Sequence, residues 1–168
     1  RTIPATRVLQ DALQNREVKR VYRCIVKGIV QEDSGYISSG LLRKTIKGRR
    51  GSAPLSLKRH ALTHPPEFRE VEGKWALTLY RVVQRGTNST ALEVELLTGR
   101  THQIRIHLAE IGHPILGEWV YASCRKLSYR LALHAAELHF KHPFSGHPLS
   151  FKSPWPKELS RLQPLPKG

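Results

Sequence analysis

The residues best suited to chemistry in this 168-residue chain lie in one run, Leu97-Thr98-Gly99-Arg100-Thr101-His102-Gln103-Ile104-Arg105-Ile106-His107-Leu108. A strand pattern ends near Leu97, Gly99 turns the chain, and a helix pattern begins. Backbone N–H groups at such a helix start favour an anion. Arg100, Thr101, His102 and Gln103 add side-chain donors there, so the spacing predicts a phosphate site. Arg105 makes a different demand. On a helical wheel Ile104, Leu108 and Ile111 form one apolar face, with Ile106 and Ala109 nearly opposite. The helix is therefore expected to be covered on two sides, with Arg105 partly buried between them. A buried guanidinium needs a carboxylate or phosphate. The local acids Glu93, Glu95 and Glu110 read as solvent-facing, so the sequence poses the question of where that acid is.

The histidines do not suggest a metal. His102 and His107 are five apart and do not share a helix face. His60 and His64 have i, i+4 spacing but run into Pro65-Pro66, and zinc sites demand more ligands at better spacing. A second cationic run is more informative. Arg43, Lys44, Lys47, Arg49 and Arg50 cluster around Gly48 and Gly51, within a stretch from 33 to 60 rich in turn residues. A mobile basic loop over 33–60 is expected, in contact with phosphate or, in the plainer alternative, simply solvated.

The elements that must position these residues follow from periodicity. Residues 5–16 read as a helix with Val8, Leu9, Ala12 and Leu13 on one face. Arg20–Val26 reads as a strand closed near Gly28. Lys74–Gln84 and Ser89–Leu97 read as a hairpin through Arg85-Gly86-Thr87-Asn88. The helix from about His102 to Ile111 has Thr101 as its expected N-cap and Gly112 then Pro114 as its stop. Strands at Glu137–Lys141 and Leu149–Phe151 flank the turn His142–Gly146, and Lys157–Leu162 reads as a short helix. Strands and helices are interspersed and hairpins dominate, which predicts an α+β fold with a mixed, largely antiparallel sheet and flanking helices.

Composition narrows the partner. Lys and Arg total 28 against 13 Asp and Glu, a formal charge of +15. That excess favours nucleic acid; no basic amphipathic helix with a wide apolar face argues for a membrane surface. No apolar run is long enough to span a bilayer. Cys24 and Cys124 form no CxxC pair, so neither a disulfide framework nor a zinc ribbon is expected. The chain contains no methionine, and upstream residues are expected to precede Arg1.

The run Thr98–Leu108 resembles the GRTHQ[IL]R[IV]H motif of the RluA-type pseudouridine synthases. Other pieces resemble the family in the same order: Lys19–Gly28 its KxYxALVxG strand, Gly112–Glu118 its GHPIxGD turn, Leu131–Ala135 its ALHA element, His142–Gly146 its HPxTG turn and Ser153–Pro156 its APxP ending. The resemblance implies isomerisation of uridine to pseudouridine in RNA, ribosomal most readily or else transfer RNA, after the base is flipped out. It implies no metal and no organic cofactor. It places Tyr22 against the uracil and pairs Arg105 with a nucleophilic aspartate. It also sets Arg43, Lys44, Lys47, Arg49, Arg50, Arg100, Thr101, His102, Gln103, His107 and Leu133 toward RNA. The nucleophile belongs to an HRLDxxTSG motif, which this chain lacks; Asp11 and Asp33 have no such context. Residues 1–168 are therefore expected to be the C-terminal portion of one catalytic domain. A monomeric intracellular enzyme, in the bacterial cytoplasm or an organelle such as the mitochondrion, follows from the resemblance. A catalytically inactive RNA-binding or ribosome-assembly relative is the alternative.

Overall fold

A computed structural model describes residues 3–15, 17–43, 50–53, 58–60, 72–122 and 130–162. Helix α1 (Ile3–Gln14) leads into strands β1 (Lys19–Lys27), β2 (Ser34–Leu42), β3 (Gly51–Ser52), β4 (Lys58–His60), β5 (Lys74–Arg85) and β6 (Ser89–Leu96). Helix α2 (Gln103–Glu110), strands β7 (Leu133–Lys141) and β8 (Pro148–Lys152), and a 3₁₀ turn (Lys157–Leu159) follow. The sheet runs β3-β2-β5-β6-β1-β7-β8, with β4 also paired to β2. Every pairing among the described strands is antiparallel. The α+β class holds, and the mixed character expected of the sheet is not seen there.

Side-chain alternation builds one buried face. Tyr22 lies beside Val94 and Cys24 beside Leu92, and Val94 lies beside Tyr80. Gly35 and Ile37 extend that face onto β2 opposite Tyr80 and Thr78. Ile104 and Leu108 of α2 pack on it in one cluster with Ile37, Tyr80, Leu92 and Val94. Ile106 joins a second cluster with Leu41 and Ala76. Helix α2 is thus covered on two sides, as its wheel demands. The opposite sheet face is charged, with Lys19–Glu95, Arg81–Glu93 and Arg23–Glu137 ion pairs across neighbouring strands. On α1, Val8 is 38% and Leu13 43% exposed.

Three expectations need correction. The stretch 33–60 is not one loop, because Ser34–Leu42 forms a full strand against β5. Its glycines and serines suggest turns, but Gly35, Ile37, Ser39, Gly40 and Leu41 are all buried in the strand, and Ser39 meets His107 of α2. The N-cap of α2 is His102, not Thr101, with φ 58 and no side-chain cap bond. The last helix is only a 3₁₀ turn. Strand β7 also carries a register shift against β1. Val21 faces Glu137 whereas Tyr22 faces Ala135, so Ala136 is an extra residue.

Candidate active site

Helix α2 is fixed to the sheet by a continuous polar chain. Leu77 N–H donates to Thr98 Oγ1 at 2.9 Å, and Thr98 Oγ1–H donates to Gln103 Oε1 at 2.8 Å. Gln103 Oε1 also accepts the Arg100 N–H at 3.0 Å. Gln103 Nε2 donates to Leu77 O at 3.0 Å and Thr78 Oγ1 at 2.9 Å. Thr78 in turn meets His107 Nδ1 at 2.8 Å, and His107 Nε2 meets Ser39 Oγ at 2.8 Å. Ser39 Oγ continues to Ser52 Oγ at 3.1 Å, and Ser52 N–H donates to Glu110 Oε1 at 2.8 Å.

This chain corrects two assignments. Gln103 and His107 were expected to face RNA, yet both are buried and their polar atoms are spent within the protein. Burial pushes the His107 imidazole down to about 3, so it is neutral at neutral pH. The two residues hold the helix; they do not contact phosphate.

Arg105 leaves the other side of α2, and its side chain is 18% exposed. It has an acid within this chain, contrary to the expectation. Arg105 Nε donates to Glu118 Oε2 at 2.7 Å, and Nη2 donates to Oε1 at 3.0 Å. Glu118 is fully buried and also accepts Val120 N–H at 2.8 Å and Tyr121 N–H at 3.2 Å. Burial would raise its pKa, but these bonds and the Arg105 charge prevail and hold it below the usual carboxylate range. The Glu118 hydrogen bond likewise holds Arg105 firmly protonated. The pair uses Nε and Nη2, which leaves Nη1 outside it. The Arg105 guanidinium also sits 5.2 Å from the centre of the Tyr121 ring.

The turn before Glu118 makes this pairing possible. Lys27 N–H donates to Pro114 O at 2.8 Å and Leu116 N–H to Ile25 O at 2.8 Å, so the segment lies along the end of β1. Gly117 (φ 87) then bends the chain back, where an added Cβ would stand 3.2 Å from Arg130 O. The sequence signal was an acid four residues beyond Pro114 and directly after Gly117, but nothing local says that this turn folds back over α2.

His102 lies beside this group. It is the non-glycine residue with positive φ among those described, a conformation that costs about 1–2 kcal/mol. Its Nδ1 lies 2.6 Å from Tyr121 Oη. Desolvation, then the charges of Arg105 and Arg50, lower its pKa and favour a neutral ring.

The remaining predicted residues separate into two places. Arg43, Arg50, Arg100 and Thr101 line one cleft, together with Lys74. Lys44, Lys47 and Arg49 lie outside the described residues, as do His64 and the His60 side chain. Tyr22 and Leu133 share the α2 side of the sheet: Tyr22 faces exposed Ala135, and Leu133 faces Cys24. Both are half-buried against the main core. Glu118, Tyr121 and Lys74 are the residues of this region that sequence reasoning passed over.

A sequence model of RNA pseudouridylate synthase matches residues 1–110. The chain belongs to that family. It is 38% identical over 162 residues to an uncharacterized RNA pseudouridine synthase of Chlorobaculum parvum, covering 86% of this chain and 46% of that protein. It is 35% identical to ribosomal large subunit pseudouridine synthase D of Neisseria meningitidis, covering 96% of this chain and 42% of the relative. The dual-specificity RNA pseudouridine synthase RluA of Pasteurella multocida is 37% identical, with 89% and 63% covered. The chain thus spans about half the length of the curated relatives it matches. The fold is also that of human RNA pseudouridylate synthase domain containing 4, with TM-score 0.72 at 21% identity, over 94% of this chain and 67% of the other.

Proposed function

We propose that the whole protein isomerises uridine to pseudouridine in structured RNA, with ribosomal RNA favoured because a relative is named for the large ribosomal subunit. In this reading residues 1–168 are the C-terminal portion of a single catalytic domain, and an aspartate upstream of Arg1 is the nucleophile. It attacks the nucleoside, the glycosidic bond breaks, and the uracil turns and rejoins through C5. Tyr22 lies against the base and removes the C5 proton. No cofactor is required. Arg43, Arg50, Arg100, Thr101, His102 and Leu133 face the RNA, joined by Lys44, Lys47 and Arg49. The protein acts as a monomer inside the cell, in a bacterial cytoplasm or an organelle.

The observation that carries this reading is the Arg105–Glu118 pair. It orients a permanently charged guanidinium and leaves Nη1 for a second carboxylate. A residue that only bound phosphate would gain nothing from a buried acid that cancels its charge. Membrane chemistry has no comparable support, since no helix among the described residues is long and apolar enough to cross a bilayer. The test is Arg105→Ala in the protein extended upstream of Arg1, using tritium release from RNA labelled at uridine C5. Release is expected to vanish while salt-dependent RNA binding stays mostly intact. Normal release by the variant would refute the assigned role, and an upstream sequence without His-Arg-Leu-Asp would refute the enzyme.

A further inference from the structure

A cleft of about 440 Å³ opens between the end of β2, the start of β5 and the turn before α2. Its floor is apolar, from Leu41, Leu42 and Ile106. Its rim carries four cations, Arg43, Arg50, Lys74 and Arg100, and no acid is among the described residues that line it. Four like charges around one cavity repel one another unless an anion occupies it. No carboxylate among the described residues forms an ion pair with any of them. Arg43, Lys74 and Arg100 are exposed, and Arg100 Nε donates to Trp75 O at 3.1 Å, which orients the guanidinium without cancelling its charge.

Two features make this a built site. Gln103, buried and fully bonded, pins the Arg100 backbone N–H at 3.0 Å, so the turn carrying Arg100 and Thr101 is held by the core network. Lys74 faces Leu41 across the β2–β5 ladder, so its position is set by strand register. Arg50 links the cleft to the Arg105 region electrostatically. The Arg50 charge acts on both His102 and Tyr121, the two residues beside Arg105.

We infer that this cleft is a phosphodiester subsite, which holds the RNA backbone next to the nucleotide whose base reaches Arg105 and Tyr22, with Lys74 as a contact that its surroundings in sequence do not mark. The inference rests on the proposed function and deepens it. The apolar floor accommodates the ribose while the cationic rim takes the phosphate oxygens. Contacts of this kind position a strand and carry no sequence information. They act on binding, so the subsite sets affinity and leaves the chemical step to Arg105 and the upstream aspartate.

The experiment uses the protein extended upstream of Arg1 and a fluorescent single-stranded oligouridylate, with the dissociation constant measured across a potassium chloride series. Lys74→Gln and Arg43→Gln replace exposed side chains, and Lys141→Gln, at the far end of the sheet, is the control. Each cleft variant is expected to weaken binding and to flatten the salt slope by about 0.7, the value for one phosphate contact on a single strand. The control keeps the parent slope. An oligonucleotide with neutral methylphosphonate linkages is expected to bind all four proteins alike. If the parent binds RNA and both cleft variants match the control, the subsite is wrong while the enzyme reading stands. If Lys74→Gln weakens charged and neutral oligonucleotides equally, the contact is not to phosphate and the inference is overturned. Failure of the parent protein to bind RNA at all would overturn the subsite; tritium release by the same protein separately decides the enzyme.

Discussion

Glu118→Ala tests the candidate site by stability alone. The substitution removes two charged hydrogen bonds to Arg105, at 2.7 and 3.0 Å, and the acceptor for Val120 and Tyr121 N–H. Truncating one partner of a buried ion pair costs about 3–5 kcal/mol, because the other charge is left unpaired. The Arg105 side chain keeps 18% exposure, so water recovers part of this. The expected loss is about 3 kcal/mol. Glu118→Gln retains an acceptor for the two backbone N–H groups and loses the charge, so its expected loss is about 1–2 kcal/mol. Both are read from urea unfolding at neutral pH, as a shifted midpoint at constant slope. Raising the salt should change neither difference much, since a buried pair is poorly screened. The sign with pH follows from the direction of the shift. Glu118 is held below the usual carboxylate range when folded, so its stabilisation is present above the unfolded pKa and lost as pH falls through the lower folded one. A loss under about 1 kcal/mol for Glu118→Ala, or a larger loss for Gln than for Ala, would refute the pairing.

Two further outcomes follow from the packing. His107 is lowered from 6.5 to about 3 in the fold, so its contribution is complete above pH 6.5 and is lost progressively toward pH 3, by up to about 4–5 kcal/mol in all. Unfolding free energy measured from pH 7 to 4 should therefore fall more steeply for the parent than for His107→Gln, by about 1.4 kcal/mol per unit where the difference reaches one proton; parallel curves would sink this. Gly73 has φ 87, and an added Cβ would lie 2.7 Å from Leu41 O and 2.8 Å from Leu42 Cδ2. Gly73→Ala is expected to cost more than about 2 kcal/mol by thermal or urea unfolding, through left-handed strain plus a backbone clash, and a loss below about 1 kcal/mol would contradict that geometry.

What the sequence made legible was local and periodic. The β5–β6 hairpin announces itself through Leu92, Val94 and Leu96 alternating with Glu93 and Glu95, and those leucines and valine are buried. The two-sided wheel of α2 correctly required cover on both faces and a partly buried Arg105. Strand β2 was hidden because three of its five buried positions are Gly35, Ser39 and Gly40, residue types that read as turn formers, and only Ile37 and Leu41 are large and apolar. Gln103 and His107 misled for a related reason. Polar side chains at a helix start suit a bound anion and a buried network equally well, and only the positions of Thr78 and Ser39, distant in sequence, decide between them. Glu118 was missed because its pairing depends on a turn folding back along β1, which no spacing reports. The motifs from Lys19 to Pro156 identified the family; the partner of Arg105 within this chain needed three dimensions.

The extra residue Ala136 in β7 sets the phase of that strand. Side chains alternate with a strict period of two, so the extra residue exchanges odd for even numbers between the two sheet faces. Leu133 and Ala135 share the side of Tyr22, whereas beyond the shift Leu138 lies beside Arg20 and Glu137 beside Val21. Glu137 thereby reaches Arg23 and Lys152 on the charged face. Removing Ala136 alone would leave Ala135 opposite Tyr22 and Glu137 opposite Val21 in one unbroken ladder, with Leu133 and Leu138 still on the side of Tyr22. Inserting one further residue anywhere else in the strand would instead turn every side chain beyond it to the wrong face. The strand therefore has one position at which its length can change without exchanging its two faces, and that position is the bulge.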